Sequence, residues 1–395
     1  MFDLAKVQTA LQEFGVDGWL LYDFRGSNVL TRRILGLGEP AGSRRFFYWV
    51  PASGAPRKIV HRIEDSALDD LPGERTIYLK WQELEAALES CVSGVRRIAM
   101  EYSPRNGNPY VSKVDAGTVE LIRSFGPEIV SSGDLVQLFE ATWDDAQWAM
   151  HQQAAVHTNE AFRLAWSFIA EQVRAAGGVE EKDVQRRILD HFEANDLTTY
   201  SPPIVARGPG SGLPHYETGQ GENTRIVAGD FVLIDLWAKL KKERSVYSDL
   251  TRTGFVGESV PETYTRVFEI VAAARDAGIA AVREAFAAGR TIRGFEVDNA
   301  VRAVIEKAGY GPQFAHRTGH SIGQEVHGNG ANIDGLETRD DRRLLPRTCF
   351  SIEPGIYLPE FGVRSEVDVF IDAGGTVHVT GGELQREVVP ILRDF

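Results

Sequence analysis

The spacing of apolar and polar positions changes character near residue 140. Before it, short apolar runs alternate with longer helical patterns. "GWLLYDF", "RRFFYWV", "RKIVHRI", "RTIYLK" and "RRIAMEY" read as strands, and "WQELEAALESCV" and "VDAGTVELIRSF" as helices. That alternation predicts an α/β domain over residues 1–140. No phosphate loop or dinucleotide fingerprint appears in it, and the glycines of "ILGLGEPAGS" read as loop. After residue 140 the helices lengthen and the strands come in pairs. "ATWDDAQWAMHQQAAVHTNEAFRLAWSFIAEQVRAAGG" closes on glycines, as helices do. "VEEKDVQRRILDHFEAND" is a second helix. A third begins near Pro261, and "FEVDNAVRAVIEKAGYG" is a fourth. Strand patterns sit between and after them: "FVLIDLWAK", "VYSDLTRTGFVG", "TCFSIEPGIYL", "VRSEVDVFID" and "GTVHVTG". The second region, 141–395, is therefore predicted to be α+β with an antiparallel sheet.

Length and composition narrow the classes. A chain of 395 residues exceeds one ordinary core, which agrees with two domains. The apolar share of 43% and charged share of 25% are those of a globular protein. No run approaches the roughly 18 apolar residues that span a bilayer, so no membrane partner is expected. "MFDLAKVQTALQEFGVDG" reads as an amphipathic helix rather than a signal peptide. Cys91 and Cys349 are distant in sequence and lack metal-ligand spacing. They suggest a reducing compartment, and a cytoplasmic location is expected. Net charge is −13, which argues against nucleic acid as a partner.

Five ionisable residues stand in strand-like or glycine-flanked settings: Asp235, Asp249, His320, Glu353 and Glu366. A carboxylate among apolar strand neighbours needs a partner. Four carboxylates cannot satisfy one another, because repulsion would hold some protonated. Two divalent cations would balance them, with the imidazole as a neutral ligand. Asp249 and Thr251 share one strand face, Arg364, Glu366 and Asp368 another, and Ser351 and Glu353 a third. Adjacent antiparallel strands would bring these faces together. Such a donor set suits manganese, cobalt, zinc or iron better than a thiolate metal.

These residues carry a resemblance. "PHYETG", "GDFVLIDLWA", "YSDLTRTGFVG", "HRTGHSIGQEVHG" and "FSIEPGIYLPEFGVRSEVDV" resemble, in order and spacing, the pita-bread metallopeptidase family. That family includes methionine aminopeptidase, Xaa-Pro aminopeptidase, Xaa-Pro dipeptidase and the metal-free creatinase. The match covers about the last two-thirds of the chain. Residues 1–140 resemble, more weakly, the N-terminal domain of creatinase and the proline-specific members. The resemblance implies a curved, mainly antiparallel sheet flanked by helices, preceded by that smaller α/β domain. It implies two divalent ions per chain, with manganese the expected metal and cobalt, zinc or iron the alternatives. Asp235 would hold one ion. Asp249 and Glu366 would bridge both, and His320 and Glu353 would complete the second. A bridging water or hydroxide would attack the peptide bond, with Glu353 also the general base. His327 would contact the scissile carbonyl, His215 would lie near the substrate, and His316 would lie near the leaving side. Arg364 and Thr251 would support the ligands from behind. The other histidines, His151 and His378 among them, match no family position.

The implied activity is hydrolysis of the N-terminal bond of Xaa-Pro dipeptides or short peptides, by a chain expected to form homodimers. Three departures bear on the substrate. Asp235 and Asp249 are fourteen residues apart, three more than is usual, and the extra residues fall in the basic turn "LKKERS". That turn is expected to overhang the substrate entrance. Trp237 stands where the family often has a small residue, and Arg317 where it usually has glycine. They keep open a non-peptidase hydrolase or lyase of the same fold, acting on a small nitrogenous or osmolyte-like substrate. A pseudoenzyme that holds a partner is disfavoured by the five retained ligands.

Overall fold

The computed structural model describes residues 2–38, 42–221 and 223–395. Residues 39–41 of the glycine-bearing loop stretch lie outside the described residues. The chain divides into two compact units, Met1–Glu140 and Ala141–Phe395.

The first unit is built on one six-stranded mixed sheet. Gly18–Asp23 lies inside it, antiparallel to Phe46–Pro51 on one side and parallel to Arg97–Met100 on the other. All six residues of Gly18–Asp23 are buried, because helices cover both faces. The helix Trp81–Val92 coincides with the pattern that predicted it. Val29–Ile34, Glu128–Ser131 and Gly133–Glu140 were not legible. They are short, and short apolar runs are ambiguous between helix and strand.

In the second unit the long helix Asp145–Ala176 starts at a reciprocal cap. The Asp144 carboxylate accepts from Gln147 N at 2.8 Å, and the Gln147 side chain accepts from Asp144 N. It stops at Gly177, whose φ of +73° carries no Cβ penalty. This helix and Glu181–Ala194 bury Phe162, Trp166, Ile169, Ile188 and Phe192 against the strand pair Phe231–Leu240 and Ser248–Phe255. The helices Glu262–Ala287 and Gly294–Lys307 cover a second sheet carrying Cys349–Ile352 and Val367–Ile371.

Two segments depart from the continuous strands expected. "FSIEPGIY" breaks at Glu353 and Pro354 into Cys349–Ile352 and Gly355–Tyr357. "VRSEVDV" breaks at Ser365 and Glu366 into Gly362–Arg364 and Val367–Ile371. Arg364, Glu366 and Asp368 therefore do not share one strand face. The backbone groups freed at the breaks find other partners: Glu353 N donates to Thr318 O at 2.8 Å and Glu366 N to Thr251 O at 3.2 Å. The bond at Glu353 extends the pairing with the segment before Ser321–Ile322, and the bond at Glu366 ties the second sheet to the first.

The "LKKERS" turn is pinned to the long helix. Arg244, at φ +59°, donates to the Asp144 carboxylate at 2.7 Å, and Gln147 Nε2 donates to Arg244 O at 3.2 Å. The turn is thus held at the start of that helix, where Asp144 supplies an anionic cap and Gln147 an amide.

Candidate metal centre

Strand register assembles the first half of the site. Phe231–Leu240 and Ser248–Phe255 pair antiparallel, with Asp235 opposite Thr251 and Trp237 opposite Asp249. Alternation puts all four on one face. Glu366 reaches the same place from the second sheet, and His320 from the residue just before the short strand Ser321–Ile322. One ligand atom from each of Asp249, His320 and Glu366 lies within 4.8 Å of the other two. His320 Nε2 is 3.5 Å from Asp249 Oδ2 and 3.3 Å from Glu353 Oε1. Asp235 stands beside this group and is ion-paired to Arg364.

Burial makes the cluster electrostatically unfavourable by itself. Burial, then repulsion from Asp235, Asp368 and Glu353, raises the Asp249 carboxyl well above its usual range. Burial and the charges of Asp249, Glu353 and Asp235 do the same to Glu366. Burial pushes Glu353 up to about 7, against the opposing pull of Arg364. His320 is held well below its usual value by burial, then by His327 and Arg317, so it presents a neutral imidazole.

A family model described as metallopeptidase family M24 matches residues 149–373. The chain belongs to metallopeptidase family M24. It is 27% identical over 386 residues to the uncharacterized peptidase YqhT of Bacillus subtilis, covering 95% of this chain and 97% of that protein. Over 187 residues it is 35% identical to the Xaa-Pro dipeptidase of Pyrococcus furiosus, covering 47% of this chain and 48% of that one. Its fold is that of dipeptidase PepE from Mycobacterium ulcerans, with a TM-score of 0.64 at 22% identity over 98% of this chain and 96% of the other. The architecture is therefore the pita-bread fold of the M24 proteins.

In this M24 chain the donor set fits a divalent cation. It offers four carboxylates and one neutral imidazole, with Asp235, Asp249, His320 and Glu366 buried and Glu353 half-buried beside His320. A cation would relieve the repulsion that raises three of the carboxyls. Hard or borderline ions match oxygen with one nitrogen.

The outer histidines of the M24 site divide. His327 packs its ring edge-on to His320, with centroids 4.3 Å apart, and opens to solvent. His215 is exposed on the segment after the turn Gly208–Gly212. Its charge contributes to the lowered values of His316 and His327, after burial and the nearby arginines. His316 lies against the Tyr357 hydroxyl, with Nε2 at 2.7 Å, and burial drives it down to about 3.

Arg364 and Thr251 occupy the rear of the cluster. Arg364 Nε donates to Thr251 Oγ1 at 3.1 Å and Nη1 to Tyr357 at 3.0 Å. Three further residues complete this layer, none singled out in this role by the sequence pattern. Tyr357 joins His316 to Arg364. Ser351 Oγ donates to Glu353 at 3.0 Å and accepts from His320 N at 3.0 Å. Asp368 accepts from Asp249 N at 3.0 Å and from Ser248 Oγ at 3.1 Å. Strand alternation had placed Ser351 with Glu353 and grouped Asp368 with Arg364 and Glu366, whereas nothing in the pattern pointed to Tyr357. No helix among the described residues is long and apolar enough to cross a membrane.

Proposed function

We propose that the chain is a dinuclear metal-dependent peptidase that cleaves the N-terminal bond of Xaa-Pro dipeptides or short peptides. The observation that carries this reading is the buried convergence of Asp249, His320 and Glu366, with Glu353 at His320 and Asp235 alongside. Likeness to the Xaa-Pro dipeptidase of Pyrococcus furiosus supports the choice of substrate.

Asp235, Asp249, His320, Glu353 and Glu366 would hold two divalent ions, manganese first. Such ions supply Lewis acidity, polarising the scissile carbonyl and easing deprotonation of the attacking water. Glu353 takes that proton and delivers it to the leaving amine. His327, open to solvent at the edge of the cluster, donates to the carbonyl oxygen as negative charge develops there. His316, held by Tyr357, lies near the leaving side of the substrate, and His215 lies near the substrate. Arg364 and Thr251 fix the carboxylate orientations. Residues 1–140 serve as the creatinase-type N-terminal domain of a cytoplasmic homodimer.

The test is a length series of Xaa-Pro, Xaa-Pro-Yaa and longer peptides, with manganese added and then chelated. Metal-dependent release of the first residue is expected. Cleavage of small amides or betaines with no peptide turned over would overturn this reading.

A further inference from the structure

The loop between two edge segments brings a solvent-exposed aromatic ring beside the metal cluster. Leu197–Thr198 pairs with Leu240 and Lys239, and Ile204–Arg207 pairs with the same strand from Asp235 back to Val232. Between them the chain leaves the ladder at Thr199–Pro203, where Pro202 and Pro203 have no N–H to donate. Tyr200 sits in this gap, across from Trp237. Its ring stacks on the Trp237 indole, with centroids 5.8 Å apart and planes at 25°. Tyr247 meets Tyr200 edge-on at 6.4 Å.

The two rings are treated very differently by solvent. Trp237 is 8% exposed and Tyr200 is 64% exposed. Trp237 is thus a buried floor and Tyr200 an open platform. On its other side Trp237 is paired directly with Asp249. Two strand spacings, about 10 Å, therefore separate the platform from a member of the cluster. The residue that carries the scissile carbonyl would sit at the cluster, and an extended aromatic side chain on it reaches across most of that gap. The floor gives no polar handle to a ligand. The Trp237 indole N–H is sealed from water and has no partner in the structure. Lys239 is spent on Gln324 O at 2.6 Å while lying over the Tyr247 ring.

We propose that Tyr200, layered on Trp237, is the specificity-determining platform for the first residue of the substrate, and that it selects flat aromatic side chains. This rests on the peptidase reading above. A third ring laid on the open face of Tyr200 continues an offset stack that the chain has already begun. A side chain without a ring cannot extend that stack and gains less there.

The experiment compares Phe-Pro and Ala-Pro as substrates of the manganese-loaded full chain, its Tyr200→Ala variant and its Tyr200→Phe variant. The wild type is expected to favour Phe-Pro in kcat/KM. Tyr200→Ala is expected to lower the Phe-Pro to Ala-Pro ratio at least tenfold, through KM, and Tyr200→Phe to preserve it. A wild-type ratio near one, or a ratio that Tyr200→Ala leaves unchanged, overturns the platform while leaving the peptidase reading intact. If neither peptide is cleaved, the peptidase reading fails instead. Calorimetric binding of L-phenylalanine against L-alanine to the same three proteins then decides the platform. Selective phenylalanine binding lost in Tyr200→Ala supports it, and equal binding overturns it.

Discussion

Thr251 Oγ1 donates to Glu366 Oε2 at 2.7 Å while accepting from Arg364 Nε at 3.1 Å. One hydroxyl thus orients a carboxylate of the cluster and is itself oriented by the guanidinium that pairs with Asp235. Thr251→Val keeps the shape and removes the relay. Metal affinity is expected to fall about 10- to 100-fold, the usual cost of losing such a support. Calorimetric titration with manganese measures it, and an unchanged affinity would show that Glu366 needs no support from Thr251.

Asp249→Ala removes one of the three residues that converge in the cluster. Turnover is expected to be abolished, and bound metal to fall below the wild-type count by elemental analysis. The same change deletes a buried carboxylate whose charged form burial and its neighbours disfavour. In chelator, the variant is therefore expected to melt no lower than the wild type. Retained peptidase activity would remove Asp249 from the metal assignment.

Glu353 provides a pH test independent of turnover. Its folded value, about 7, lies above the usual 4.5. The folded state therefore binds this proton more tightly than the unfolded chain. The associated stability is full below about 4.5 and is lost as pH rises through about 7. In chelator, the unfolding free energy of the wild type relative to Glu353→Gln is expected to decline across that window, by at most about 3 kcal/mol. A flat difference in urea titrations would contradict the shift. Metal loading is expected to abolish the decline, since the carboxylate is then the favoured form.

His151 acts in the opposite direction. It is fully buried, between Tyr247 O and Thr380 Oγ1, each 2.7 Å from a ring nitrogen. Burial lowers it from 6.5 to about 4. The unfolded chain then binds the proton more readily, so stability is lost as pH falls from about 6.5 to about 4. His151→Asn is expected to be less stable at pH 7 and to show a shallower acid slope. Urea midpoints measured between pH 4 and pH 7 check both. An unaltered slope would assign the acid sensitivity elsewhere.

Much of the arrangement was legible because it depends on backbone period. Alternation alone groups Asp235 with Trp237 and Asp249 with Thr251, and the strand register keeps those pairs on one face. The long helices were legible because their caps are local, as at Asp144 and Gly177. The strand breaks at Glu353 and Ser365 were not, because nothing in "SIEPG" or "VRSEV" states that distant carbonyls, Thr318 O and Thr251 O, will take up the freed N–H groups. His151, which matches no motif, is a core histidine fixed from the distant Thr380 as well as Tyr247.

The sequence by itself determined the family, the two-region organisation and a set of acids too costly to bury without a counter-charge. Tertiary structure decided how those acids are held and what stands beside them. Tyr357 between His316 and Arg364, Asp368 behind Asp249, the "LKKERS" turn docked on Asp144, and Tyr200 layered on Trp237 all join residues from separate segments. Local periodicity carries no information about such pairings. They are set by which surfaces the helices and sheets bury against one another.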